Sequence, residues 1–539
     1  MDQTLPRPIS RTWVTIALMV GIFVAALDQT IVDTAFPRMI ADLHGETIFT
    51  WVITAYMLAS TAIVPVVGKL ADIYGRKIFY ATGIVLFVAG SMLCGIAQDM
   101  TQLILYRGFQ GIGAGMLMPI GFTIVGDLYP GAQRAKMQGV FSGVWGLSSI
   151  LGPKLGGWIT TEFGWRYVFF INLPIGLIAL AMIMLTYRES RGEKRPIDWI
   201  GSFTVTAGIV TLLLALNKGG DWGWSSVTTL GLFAVAAVML IVFLITERRV
   251  PEPVLDLTLF RNRTFSVMSL LGFIFGIGMF GAIVYIPWFI QGVVGVDPNQ
   301  AGNVMTPMLM SMVVFSALAG FLTLKMNYRT QLTLGTLLMA LAFFLMTSWH
   351  RGTTQWTATW NIMIMGAGLG LTMPVLTLAP QNAFAANKRG TVTSAATFFR
   401  QIGASVGITV LGVVYNHQLK AFFPSTVGPV FERLKPMLAA APPAAAEAMA
   451  AVAAAPAILV RFLVDSGKLP FALPPEMATA LLSGAKDMMS SSLHVVFWCS
   501  LGTVLVGTVV AQFMGSISLK GQSVAHGETA KAEINLMTE

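Results

Sequence analysis

The chain has 539 residues, 55% of them hydrophobic and only 11% charged, with a formal net charge of +9. Soluble domains carry about 25% charged residues, so this composition excludes a soluble enzyme and points to an all-α integral membrane protein. The basic residues fall in breaks between apolar runs rather than along one amphipathic element, the pattern of loops obeying the positive-inside rule and not of a nucleic-acid surface.

In chain order, apolar runs of roughly 19 to 28 residues predict about fourteen transmembrane helices. Their approximate limits are 13–37, 50–70, 79–97, 102–125, 138–160, 166–187, 199–217, 226–246, 265–290, 301–324, 331–349, 358–378, 391–415 and 494–515. The opening stretch, Met1 to Thr12, lacks the pattern of a cleaved signal peptide and leads straight into the first span. With that end inside, the inward loops hold Lys69/Arg76/Lys77, Arg134/Lys136, Arg188/Arg191/Lys194/Arg195, Arg248/Arg249/Arg261/Arg263, Lys325/Arg329 and Lys388/Arg389. The short outward loops hold only Arg38, Arg166, Lys218 and Arg351, so both termini are expected in the cytoplasm. One outward segment, 416–492, exceeds an ordinary connection. Its Ala/Pro stretch Met437 to Pro456 predicts helix punctuated by proline, an extracellular cap or a part in substrate passage or docking. Cys94 and Cys499 lie in apolar runs, which implies no disulfide framework and no metal site.

Charged residues inside spans are the candidates for function. Asp28 lies more than halfway along the first span, where an acid costs a few kcal/mol or more and belongs in a protein interior or wet cavity, as proton-handling groups do. At about 1.5 Å per helical residue, Asp28, Arg107 and Lys154 all fall roughly 22 Å from the inner ends, and Arg400 near the midplane. None of the four is placed for easy snorkelling. Arg107 reads either as a buried arginine stitching helices together or as a modulator of Asp28 protonation. Lys154 reads as a neutralising partner of Asp28, as a site for an anionic substrate group, or as a participant in proton coupling. Asp33 lies near the outer boundary, either solvated at the mouth or as a second titrating site. Gly111, Gly113 and Gly115 follow no strand and sit mid-membrane, so helix packing explains them better than a dinucleotide loop. The methionines of span ten, with Tyr285, Trp288 and Phe289, are ordinary packing or lipid-facing residues, or the lining of an adaptable cavity.

Several motifs together carry a family resemblance. The loop Gly68-Lys-Leu-Ala-Asp72-Ile-Tyr-Gly75-Arg76-Lys77 resembles the signature loop of the major facilitator superfamily, and Gly320 to Arg329 looks like a decayed copy of it. Leu105-Tyr-Arg107-Gly-Phe-Gln110-Gly111 is similar to the superfamily's buried-arginine motif, and Gly152-Pro153-Lys154-Leu155-Gly156-Gly157 to the packing motif of its exporters. Leu27-Asp28-Gln-Thr30-Ile-Val32, the stretch Trp165 to Gly176 with Asn172, and Phe399-Arg400-Gln401-Ile-Gly403 resemble the fourteen-helix drug:proton antiporters, the group of EmrB and QacA. That group usually has Asn where this chain has Asp33.

The resemblance implies a major facilitator fold, two six-helix bundles plus two inserted helices. Residues 1–190 would form the first bundle, 191–260 the inserted pair, and 261–539 the second bundle with the 416–492 insertion. It implies alternating access about a midplane site, with Gly68, Asp72, Gly75 and Arg76 as a cytoplasmic latch. The expected function is proton-coupled export of amphipathic drugs by a bacterial plasma-membrane protein acting as a monomer. Its partners would be a small amphipathic molecule, protons and the bilayer, with no nucleic acid and no cofactor beyond the proton gradient. An exporter or flippase of a lipid or anionic amphiphile is the alternative, favoured by the intramembrane cations Arg107, Lys154 and Arg400. A sensor or scaffold without transport is the reading from another class.

Overall fold

The computed structural model describes residues 11–43, 48, 50–129, 131–188, 196–295, 298–384, 388–438 and 475–514. The first half comprises α1 (Arg11–Leu43), α2 (Thr50–Tyr74), α3 (Arg76–Gly95), α4 (Met100–Leu128), α5 (Gly131–Glu162), a short α6 (Tyr167–Phe170) and α7 (Asn172–Thr186). Next come α8 (Trp199–Trp222) and α9 (Val227–Glu247), then a 3₁₀ turn at Leu257–Arg261. The second half begins with α10 (Arg263–Phe275), a π-helical turn (Gly276–Phe280), α11 (Gly281–Phe289) and a second π turn (Ile290–Val294). It continues with α12 (Pro298–Lys325), α13 (Tyr328–Met346), α14 (Gln355–Asn382), α15 (Arg389–Thr426), α16 (Gly428–Leu438) and α17 (Pro475–Gln512).

Thirteen helical stretches among the described residues are long and apolar enough to cross a membrane, against the fourteen expected. The difference is α5. At 32 residues it has the length, but Arg134, Lys136, Gln138 and a middle rich in Gly and Ser dilute its apolar character. Its neighbours explain that composition: α5 packs against α1 on one side and α12 on the other, so small residues serve it better than long aliphatic ones.

Helices α1 to α7 pack mainly on one another, as do α10 to α17. The two groups meet through α5 with α12 and α14, and through α15 with α2 and α4. Tight contacts inside each group are made by glycine. A Cβ on Gly113 would come within 2.3 Å of the Phe87 backbone nitrogen, and one on Gly115 within 2.3 Å of the Ser60 carbonyl, which brings α4 against α3 and α2. Helices α8 and α9 pack together, and α8 rests on α2 and α15. The connection after α9 is tied to both halves: Lys69 Nζ lies 2.7 Å from Glu252 Oε2, and Lys388 Nζ lies 2.8 Å from Asp256 Oδ2.

The segment 416–492 takes a different form from a separate cap. Its first part continues α15 to Thr426, and its last part is the start of α17, which begins at Pro475 and not near 494. Apolar side chains at the far end of both helices, Leu419 and Leu481 among them, are buried in the second-half core, which is why the helices persist past the span. Residues 439–474, with most of the Ala/Pro stretch, lie outside the described set, as do Arg191, Lys194 and Arg195.

Candidate functional site

The site is built on α1, α4 and α7. Asp28 on α1 is wholly buried, and three donors converge on its two oxygens. Arg107 Nη1 donates to Oδ2 at 2.6 Å, while Gln110 Nε2 and Asn172 Nδ2 donate to Oδ1 at 2.9 and 2.8 Å. A second layer holds these donors. Arg107 Nη1 also donates to Gln110 Oε1 at 2.8 Å, and Asn172 donates to Ser91 Oγ at 2.9 Å, whose hydroxyl in turn donates to the Phe169 carbonyl at 2.9 Å. The guanidinium carbon of Arg107 lies 4.1 Å from the Tyr56 ring centroid, a cation–π contact that covers its other face. Buried charges persist only when paired and hydrogen-bonded, and both conditions are met here.

Local sequence explains the convergence. Gln110 follows Arg107 by three residues and shares its helix face. Gly90 opposite Gln110 has no room for a side chain, since a Cβ would sit 2.6 Å from the Gln110 Cα; α3 can therefore close on α4 at this level. On α5, Gly152 and Gly156 face α1, where added Cβ atoms would strike the Thr30 and Thr34 hydroxyl oxygens at 2.0 and 2.1 Å. Hydrogen bonds from Thr30 Oγ1 to the Ser148 carbonyl (3.2 Å) and from Ser148 Oγ to the Phe23 carbonyl (3.3 Å) bind the same pair.

Two expectations are corrected. Lys154 is exposed and is not a partner of Asp28, because it lies about 200° around α5 from Gly152, away from α1. Among the described residues Gly157 meets nothing within 4 Å and makes no packing contact, since it too points off the α1 contact. Asp33 and Pro153 fall within α1 and α5, and their side chains lie outside the described set. Gln110, Asn172 and Tyr56 had no assigned role in the sequence; a polar residue at helical spacing from Arg107, and an Asn inside an apolar run, were the signals available.

Where the halves meet, Asp72 near the end of α2 joins that helix to the start of α15. Gly75 adopts φ 104°, a conformation open to glycine, and turns the chain from α2 into α3. Asp72 Oδ1 accepts from Arg76 (2.8 Å) and from the Gly390 amide (3.2 Å). Its Oδ2 accepts from the Thr391 amide (2.7 Å) and hydroxyl (3.0 Å). The carboxylate thus caps the N-terminus of a helix in the other half, where unpaired amides and the helix dipole favour an anion. Arg76 also pairs with Asp127, which in turn lies 3.2 Å from Arg389. Gly68 permits this approach: a Cβ there would come within 2.2 Å of Ser394 Oγ. Arg134 of α5 bonds Asn382 of α14 at the same end.

Arg400 is placed differently. It sits on α15 facing α10 and α14, beside a small cavity, and makes no hydrogen bond or ion pair among the described residues.

Two helical halves joined at one end, with a charge network buried among helices long and apolar enough to cross a membrane, are the architecture of a membrane transporter. The chain matches the model of the Major Facilitator Superfamily over residues 18–408. It belongs to that family. It is 42% identical to the multidrug transporter protein MdtP of Bacillus subtilis, covering 95% of this chain and 94% of that one. It is 36% identical to multidrug resistance protein 3 of the same organism, covering 96% and 98%. In fold it is similar to the human organic anion transporter MFSD10 (TETRAN), with a TM-score of 0.60 at 12% identity over 92% of this chain and all of that one.

Proposed function

We propose that the protein is a proton-coupled antiporter that exports amphipathic drugs by alternating access across a bacterial plasma membrane, with both termini in the cytoplasm. Relatives named as multidrug transporters over nearly the whole chain support the export of drugs. The observation that carries the coupling is the set of donors on Asp28. Three donors suit an ionised carboxylate, whose oxygens only accept. A proton on Asp28 removes its negative charge, and the bond that this weakens most is the charge-assisted one from Arg107. Protonation therefore loosens α1 from α4, and a movement that separates the two helices or wets them changes proton occupancy. This is the reciprocity that antiport requires.

In this reading the joined end of the halves is cytoplasmic, and the structure is the outward-facing state. Asp72, Arg76 and Asp127 hold that state through α15, and release of the Asp72 cap opens the inner side. Membership of the fourteen-helix EmrB and QacA group is part of the proposal, and the inserted pair α8–α9 supports it.

The test uses everted vesicles with an imposed proton gradient. Ethidium should dissipate the gradient in vesicles carrying the wild type and leave it intact with Asp28→Asn. Equal dissipation by both would remove Asp28 from the coupling, and none by either would remove drug antiport. The export of an anionic amphiphile is a second reading, favoured by one observation, the unpartnered Arg400.

A further inference from the structure

We infer that Arg400 and two threonine hydroxyls form an anion site inside the second half, taking the negatively charged tip of an exported amphiphile or a small inorganic anion. Arg400 lies about 16 Å along α15 from its first residue, too far for its head to reach the membrane surface with ease. An arginine at that depth faces an acid, a ring of carbonyls, a bound anion or a water-filled cavity, and Arg400 is half-buried. The first two are absent among the described residues: no carboxylate pairs with Arg400, and no carbonyl accepts from it.

What does surround it is a cavity between α10, α14 and α15, bounded by Met268 and Leu376 on the apolar side and by Thr377, Thr393 and Thr397 on the polar side. The Thr393 hydroxyl is engaged, donating to the Arg389 carbonyl at 2.7 Å and accepting from Gln381 at 2.9 Å. Those of Thr377 and Thr397 carry no hydrogen bond among the described residues, although a helical threonine ordinarily bonds the preceding turn. One guanidinium and two free hydroxyl donors around an apolar floor are the donor set for a monoanion. The space, about 10 Å³ in this state, admits a group of roughly the size of one water, which suits one carboxylate oxygen or a halide.

The backbone around Arg400 is closely packed. Gly276 lets α15 press on the preceding helix, since a Cβ would sit 2.5 Å from the Arg400 carbonyl, and Gly403 and Gly407 receive the Phe273 and Ile277 carbonyls in the same way. The π turn Gly276–Phe280 lies in this contact, and such turns mark places where helices are re-aimed at functional sites.

The proposal deepens the exporter reading by naming a substrate class, and a binding assay keeps the two separable. The thermal midpoint of the purified full-length protein in detergent is measured with decanoate against decanamide, and with sodium chloride against sodium gluconate. For an amphiphile tip, decanoate raises the midpoint by roughly 2 °C or more, decanamide does not, and Arg400→Gln abolishes the rise. A rise with chloride alone, again lost in Arg400→Gln, supports the site with an inorganic occupant. No rise with either anion in the wild type, or a rise that survives Arg400→Gln, overturns the proposal. Should Arg400→Gln fail to fold, Thr397→Val and Thr377→Val take its place: a smaller anion-induced rise supports the site, and an unchanged one overturns it. Vesicles inert to ethidium with the anion shift intact would contradict drug antiport and leave the anion site standing.

Discussion

Each half of the molecule carries an arginine within the membrane, and the two are held in opposite ways. Arg107 is 3% exposed, bonded to an acid and an amide and covered by a ring. Among the described residues Arg400 has neither acid nor amide, only threonine hydroxyls and a small space beside it. The first arrangement pairs its charge within the protein and, in the function proposed above, is changed by a proton. The second, in the site inferred above, would be completed by an anion. On that reading the site for the driving ion and the site for cargo are divided between the halves.

Breaking that comparison begins with truncation of each cation. Arg107→Ala leaves Asp28 buried without its charge partner and should cost about 3–5 kcal/mol of stability, as removal of one partner of a buried pair does. Arg400→Ala deletes a charge with no partner and should leave the thermal midpoint unchanged or higher. Equal losses would mean that Arg400 is a structural stitch like its counterpart. Next in size are the packing glycines. Gly152→Val should cost about 1–3 kcal/mol by forcing α5 from α1, while Gly157→Val, facing open space, should be silent in the same melt. Asn172→Ala removes one neutral donor from Asp28 and should cost about 1 kcal/mol, with the ion pair kept.

The smallest effect is at the strap between the halves. Burial alone would raise the Asp256 carboxyl, but hydrogen bonds from Lys388 and Thr258 outweigh it and hold it below the usual range. A depressed folded value adds stability above the unfolded value of about 3.9 and loses it as pH falls through and below that value. A melt followed from pH 6 to about pH 3 should show a loss in the wild type that is smaller in Lys388→Met, and identical curves would remove the strap from the account.

Much of this is legible in the sequence. Apolar length and Lys/Arg placement predict the spans, and depth counting along three helices brings Asp28 and Arg107 to one level. The same arithmetic misplaces Lys154, because depth says nothing about azimuth: two residues beyond Gly152, its side chain leaves the α1 contact and reaches the exposed face. The span predicted at 138–160 stands as α5, but a helix wedged between others needs small residues, which leaves it less apolar than the other thirteen. Gln110 and Asn172 were hidden because a neutral polar residue in a span is a weak signal until its acceptor is known. The absence of a partner at Arg400 is beyond sequence altogether, for it depends on what three helices fail to bring near.

The most direct measurement is proton release on substrate binding. The purified protein in weakly buffered detergent solution is mixed with tetraphenylphosphonium, and free protons are followed with a pH dye beside a separate binding isotherm. The account predicts release of about one proton per molecule bound by the wild type, and none by Asp28→Asn, which still binds the cation. Release of the same size from Asp28→Asn would contradict it.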